Sequence, residues 1–127
     1  MRGADLLAKS ILKSGTDKIF TVSGNQIMPF FDAAIDVKLE LIHCRHEASA
    51  VFMADGFFQT SGKVGIALVT AAPGFTNALG PLYSINQSQS AIVLLSGDTP
   101  FYQESLMSFQ KLDQILSDNG SVIIFDF

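Results

Sequence analysis

The fold is decided by residues 64–77, which read Val64-Gly65-Ile66-Ala67-Leu68-Val69-Thr70-Ala71-Ala72-Pro73-Gly74-Phe75-Thr76-Asn77. The first seven residues form a short and almost wholly apolar run, which is typical of a buried strand. Pro73 and Gly74 then stand where a helix can begin, because proline is favoured in the first turn of a helix. An apolar strand followed at once by a helix indicates a parallel sheet that is covered on both faces.

The same alternation continues along the chain in both directions. Further strands are predicted at 18–23, 39–44, 91–96 and 122–125, and helices at 6–12, 29–35, 48–60 and 75–87. Residues 101–114 can form either another helix or a loop at the site. We therefore predict an α/β fold with a doubly wound, mostly parallel sheet and helices on both faces.

Composition excludes several classes of protein. The chain has 127 residues, of which 48% are hydrophobic and 16% charged, and its mean hydropathy is +0.35. A disordered chain has the opposite composition, and no run reaches the ~18 apolar residues of a membrane span. Only 8 residues are Lys or Arg and the net charge is −4, so no basic stripe is present for nucleic acid. We expect neither a membrane nor a nucleic acid as partner.

The apolar excess points instead to a protein partner. Charged residues usually make up about 25% of a soluble domain, and this chain has fewer and also carries 11 Phe. We expect a large apolar face, beside Glu47 and Pro73-Gly74, that a partner covers. The single Cys44 fits a reducing compartment, and the N-terminus shows no signal peptide, so a cytoplasmic location is predicted.

Polar clusters follow four of the predicted strands directly. They are 23–26, 45–47, 70–74 and 96–98. Ligands of doubly wound sheets bind at the carboxyl ends of the strands. The four clusters are therefore the candidate site.

Glu47 is the candidate that matters most, because it ends a strand and opens a helix. A carboxylate at this place can simply interact with the free N–H groups of the helix. Small residues follow it at Ala48, Ser49 and Ala50, which would give a close-packed, dry setting that suits proton transfer. The residues alone leave both interpretations open.

Metal and phosphate motifs are missing. The soft metal ligands near Glu47 are His43, Cys44 and His46, and the zinc-protease motif would need a second His where Ala50 stands. His43 and Cys44 should point to opposite faces of their strand, so we predict no metal site. No Gly-rich phosphate loop and no Gly-x-Ser-x-Gly elbow is present.

Several segments together resemble the N-terminal, pyrimidine-binding domain of thiamine-diphosphate-dependent enzymes, in the group of acetolactate synthase, benzaldehyde lyase and oxalyl-CoA decarboxylase. The segments are Thr21-Val22-Ser23-Gly24-Asn25-Gln26, Arg45-His46-Glu47-Ala48-Ser49-Ala50, Ala54-Asp55-Gly56, 68–77 and Leu94-Leu95-Ser96-Gly97-Asp98. The resemblance covers about residues 3 to 114 and implies the flavodoxin-like, thiamine-diphosphate-binding fold. We expect a pyrimidine-binding domain at 1–114, and a divergent tail at 115–127 that is consistent with truncation.

The resemblance also implies roles for individual residues. Glu47 matches the catalytic glutamate, which hydrogen-bonds the aminopyrimidine ring and promotes formation of the carbon nucleophile that attacks a 2-keto acid. The aminopyrimidine turn matches Pro73, Gly74 and Asn77. The loop that faces the substrate matches Ser23, Gly24 and Asn25. A Phe-Gln pair near the substrate matches Phe109 and Gln110.

The family's diphosphate-binding domain, which holds the magnesium ion, has no counterpart in these 127 residues. We therefore expect that domain, of the same or a partner chain, as a partner, and a homo-oligomer (dimer or tetramer). We expect the isolated chain to be inactive, because it is only part of a transferase or lyase. Whether the enzyme also binds FAD stays open. The chain is interpreted as a fragment, a truncated frame or a stand-alone subunit of a split decarboxylase. The alternative is a non-catalytic flavodoxin-like binding domain in which Glu47 only caps a helix.

Overall fold

The computed structural model describes residues 1–98 and the backbone of a strand at 123–124. In this described part of the chain, four helices alternate with the strands of one sheet. The helices are α1 (Gly3–Lys13), α2 (Met28–Asp36), α3 (Glu47–Ser61) and α4 (Pro73–Ser88). The strands are β1 (Lys18–Thr21), β2 (Glu40–His43), β3 (Gly65–Val69), β4 (Ile92–Ser96) and β5 (Ile123–Ile124). A single 3-10 turn, Asn25–Ile27, precedes α2.

The sheet has five strands in the order β2-β1-β3-β4-β5, and every neighbouring pair is parallel. This is the flavodoxin-like order, in which the chain changes direction across the sheet between β1 and β3. Ligand sites of such sheets lie outside the carboxyl ends of the strands at that point. The predicted α/β fold is confirmed, and the carboxyl ends of β1 and β3 are the place to look for a site.

The central strand β3 serves two cores, one on each face of the sheet. Ile66 and Leu68 pack with the buried side chains of α1 and α2, among them Phe30. Ala67 and Val69 point the other way and pack with α3 and α4. All five residues of β3 are buried, which explains why its sequence is apolar without alternation.

Large apolar side chains remain exposed on both outer faces. On α3 and α4 they are Phe52, Met53 and Tyr83, of which Tyr83 is 74% exposed. On α1 and α2 they are Leu6, Leu12, Met28 and Ile35, of which Ile35 is 75% exposed. Exposed apolar side chains thus lie on both outer faces and not only on the helices that begin at Glu47 and Pro73. Within residues 1–98, no helix is long and apolar enough to cross a bilayer.

Candidate functional site

The ends of β1 and β3 meet so closely that only glycine fits between them. A Cβ placed on Gly24 would lie 2.4 Å from Cβ of Thr70. The end of β4 joins them, because the Gly97 N–H donates to the Val69 carbonyl at 3.0 Å. Three of the four polar clusters predicted from the sequence are therefore in contact.

Gln26 lies at the centre of this junction. The Thr70 hydroxyl donates to its Oε1 at 2.5 Å. A Cβ on Gly97 would lie 2.8 Å from Cβ of Gln26. Gln26 belongs to the first predicted cluster, but no role follows from the sequence, since its partner is 44 residues away in the chain.

Glu47, the first residue of α3, faces the start of α4. The Asn77 side-chain amide donates to Oε2 of Glu47 at 3.0 Å. The other carboxylate oxygen, Oε1, would lie 3.5 Å from a Cβ on Gly74. The structure thus brings together Glu47, Gly74 and Asn77, three of the residues that the sequence singled out.

The N-terminus of α3 is capped by a different residue. Nδ1 of His46 accepts the N–H of Ala48 at 3.1 Å, and His46 has the extended backbone of an N-cap residue. A side-chain acceptor at this position satisfies one of the free N–H groups of the helix. The N-cap acceptor of α3 is therefore His46, while Glu47 lies in the first turn of the helix.

The Glu47 side chain is only partly buried. Of the small residues that follow it, Ala50 is fully buried, whereas Ala48 is only partly buried and Ser49 is exposed. The open side of the carboxyl nevertheless leaves it in contact with solvent. The dry setting expected from the sequence is therefore not formed by residues 1–98 alone.

Ala72 is held in a conformation that L-residues rarely adopt. It is the residue before α4 and has φ 49° and ψ −100°, although it is not a glycine. Such backbone costs about 1–3 kcal/mol and is kept only where the surroundings impose it. The strain lies directly beside Pro73 and Gly74, in the turn that leads to Asn77.

Replacing Ala72 by glycine should relieve this strain. We expect Ala72→Gly to raise the free energy of unfolding by about 1 kcal/mol, because glycine adopts positive φ at no steric cost. Urea unfolding of the chain measures the change. The matched control is Ala71→Gly, at a neighbour without positive φ, which should lower stability by roughly 1 kcal/mol. A loss of stability in Ala72→Gly would contradict the assignment of strain.

The remaining candidates lie at the rim or outside the described part. Ser23, Asn25 and Pro73 are exposed around the junction. Phe109 and Gln110 lie outside the described residues, as does most of the tail at 115–127.

The side chains of His43, at the end of β2, and of Cys44, the next residue, point in different directions. His43 packs against Phe31 with ring centroids 5.4 Å apart, whereas Sγ of Cys44 lies 3.5 Å from Sδ of Met53 on α3. The predicted divergence of His43 and Cys44 is thus observed. Burial raises the pKa of the Cys44 thiol. The described residues contain no group of three or more His, Cys, Asp and Glu that could hold a metal ion.

Comparison with known proteins shows to which family the chain belongs. Residues 1–117 match the family described as "Thiamine pyrophosphate enzyme, N-terminal TPP binding domain". The chain belongs to this family. The resemblance found in the sequence is confirmed, and membership implies thiamine diphosphate (thiamine pyrophosphate, TPP) as the ligand of the domain.

Individual relatives come from two groups of enzymes in this family. A probable acetolactate synthase of Mycobacterium bovis is 33% identical over 115 residues, which cover 91% of this chain and 21% of that protein. The 2-hydroxyacyl-CoA lyase 2 of Xenopus laevis is 38% identical over 113 residues, covering 89% of this chain and 17% of the relative. The human 2-hydroxyacyl-CoA lyase 2 is 34% identical over a stretch of the same length. The chain thus spans only about a fifth of the length of these curated relatives.

Proposed function

We propose that this chain is the pyrimidine-binding part of a thiamine-diphosphate-dependent carboligase, lyase or decarboxylase that resembles acetolactate synthase and acts on 2-keto acids. Glu47 would be its catalytic residue. The observation that carries the proposal is the placement of the Glu47 carboxyl. Its helix is capped by His46, and the carboxyl accepts the side-chain amide of Asn77. Asn77 belongs to the aminopyrimidine turn (Pro73, Gly74 and Asn77), which is called the cofactor turn below.

The space around Glu47 suits a flat heterocycle such as the aminopyrimidine ring. A side chain on Gly74 would lie 3.5 Å from Glu47 Oε1 and 2.8 Å from Cγ2 of Thr70, so a Cβ would fill the space beside the carboxyl. Asn77 donates to Oε2, which leaves Oε1 available for a ring nitrogen. We assign Pro73, Gly74 and Asn77 to the cofactor on these grounds.

When bound, thiamine diphosphate supplies a nucleophilic carbon that adds to the keto group of a substrate. The part of Glu47 is to hold a proton on a carboxyl oxygen against the pyrimidine ring and to exchange it with a ring nitrogen. The Asn77 amide keeps that carboxyl oriented through Oε2. General acid–base groups of this kind contribute about 10²–10⁴ to a rate.

The loop at the end of β1 would line the substrate side of the site. Ser23 and Asn25 are exposed there, and Gly24 is pressed against Thr70. Loop polar groups at the carboxyl end of a parallel strand are suited to contact a ligand. Phe109 and Gln110 are proposed for the same side on the family resemblance alone.

A diphosphate-binding domain, of the same or a partner chain, would complete the site. The Glu47 carboxyl is open on one side, and apolar Phe52, Met53 and Tyr83 are exposed on α3 and α4. A domain that covers this surface would exclude water from Glu47. It would also supply the contacts to the diphosphate group and to Mg²⁺. The described residues give no support for a flavin site. A homo-oligomer in the cytoplasm is the assembly that we propose.

Calorimetric titration with thiamine diphosphate and Mg²⁺ tests whether the cofactor site is divided between this chain and a diphosphate-binding domain. We expect no binding in the submillimolar range to the 127-residue chain, because the phosphate and metal contacts lie elsewhere. Adding the diphosphate-binding domain encoded with or beside this chain should restore binding. Its coding sequence would be recognised by a Gly-Asp-Gly start and an Asn-Asn end. Submillimolar binding to the chain alone, or no binding to the mixture, would count against the proposal.

A further inference from the structure

We propose that Gln26 is a positioning residue that holds the loop at Ser23–Asn25 against the cofactor turn through the side chain of Thr70. The assignment of the two segments rests on the function proposed above. The link itself rests only on the geometry of the junction. It accounts for a polar pair that no step of the chemistry uses.

Thr70 touches both segments at once. A Cβ on Gly24 would lie 2.4 Å from both Cβ and Oγ1 of Thr70 and 2.8 Å from its Cγ2. On the other side, a Cβ on Gly74 would lie 2.8 Å from the same Cγ2. The methyl group of Thr70 therefore lies between the glycine of the loop and the glycine of the turn.

Gln26 decides which way the Thr70 side chain points. Its Oε1 accepts the Thr70 hydroxyl at 2.5 Å, and Thr70 is only 9% exposed. A threonine has few χ1 rotamers, so fixing the hydroxyl also fixes the methyl. This hydrogen bond is partly buried, so solvent replaces it only in part when it is broken. The Gln26 acceptor thus keeps the methyl between Gly24 and Gly74.

Gln26 is held in turn by the end of β4 and by its own turn. A Cβ on Gly97 would lie 2.8 Å from Cβ of Gln26 and 3.0 Å from Cγ2 of Ile27. Ile27 is fully buried, and its N–H donates to the Gly24 carbonyl at 3.2 Å, which closes the loop. We therefore expect the loop at residues 23–25, the 3-10 turn at Asn25–Ile27 and the end of β4 to open together.

Amide hydrogen exchange of the full 127-residue chain tests the link directly. Thr70→Val removes the hydroxyl and keeps the shape of the side chain, and exchange at the Ile27 amide should accelerate roughly three- to tenfold. Thr70→Ser keeps the hydroxyl but removes the methyl group between the two glycines, so exchange at the Ile27 amide should accelerate in this variant as well. The Leu39 amide, bonded to Ala34 at 2.9 Å, should be unaffected in both variants.

A second threonine gives the matched control. The Thr16 hydroxyl, also buried, donates to the Val64 carbonyl at 2.9 Å, away from the junction. Thr16→Val should leave Ile27 exchange unchanged relative to Leu39. In addition, Gln26→Leu should accelerate Ile27 exchange at least as much as Thr70→Val. Unchanged Ile27 exchange in Thr70→Val, or in Gln26→Leu, would overturn the proposal.

Kinetics of the complex with the diphosphate-binding domain test the consequence for the site. Thr70→Val should raise KM for the keto acid about three- to tenfold with a smaller change in kcat, while Thr16→Val should leave both unchanged. A fall in kcat with KM unchanged would contradict a role in holding the substrate loop. If the unaltered complex is inactive, the proposed function fails, whereas the exchange results still decide whether Gln26 links the two segments.

Discussion

Glu47→Gln should lower kcat of the complex with the diphosphate-binding domain by at least about 100-fold, the lower end of what a general acid–base group contributes. Glutamine has nearly the same shape and can still accept the Asn77 amide through its oxygen, so the contact to α4 is kept. An amide cannot hold and release a proton at neutral pH. Steady-state turnover measures the loss, and sedimentation or calorimetry measures assembly, which should be unchanged.

Glu40→Gln provides a control with the same chemical change. Glu40 is the first residue of β2, at the end of the strand away from Glu47, where its exposed side chain pairs with Lys18. An exposed ion pair contributes only about 0–1 kcal/mol, so turnover and assembly should both be retained. Full activity of Glu47→Gln would exclude the proposed role. Loss of assembly in that variant alone would make Glu47 a structural residue.

Gly65→Ala should destabilise the chain by about 3 kcal/mol or more, at or beyond the upper end of the usual effect of overpacking. A Cβ at this position would lie 2.0 Å from the backbone carbonyl oxygen of Ala54 on α3. No rotamer change can relieve that contact, because the obstructing atom belongs to the backbone. The helix that carries Glu47 would have to move away from β3. Urea unfolding followed by circular dichroism measures the loss.

Gly56→Ala, on the same helix, is the matched control. A Cβ on Gly56 meets nothing within 4 Å, and alanine favours a helix over glycine by roughly 0.5–1 kcal/mol. This variant should therefore be more stable than the parent chain. If the free energy of unfolding of Gly65→Ala stayed within about 1 kcal/mol of that of the parent chain, the close packing of α3 on β3 would be contradicted.

The order of strands and helices was predictable because it depends on local sequence patterns. Buried on both faces, β3 had to be apolar at every position from Ile66 to Val69. Pro73 marked the first residue of α4. The strand predicted at 18–23 ends earlier, at Thr21, because the chain leaves the sheet there to form the loop around Gly24.

The candidate site was predictable in its members but only partly in its contacts. Glu47, Gly74 and Asn77 were named from motifs and lie together in the structure. Gln26 was not assigned a role, and the N-cap of α3 was not assigned to His46. Both depend on where a side chain finds its acceptor or donor, which the spacing of residues does not state.

The sequence by itself determined that this chain is a doubly wound α/β domain, and its motifs placed it in the thiamine pyrophosphate enzyme family. Only the tertiary structure decided that Glu47 meets Asn77, 30 residues away, and that Thr70 meets Gln26, 44 residues away. The physical reason is that periodicity and turn chemistry act between neighbours in the chain. These contacts arise instead because parallel strands bring their carboxyl ends to one edge of the sheet.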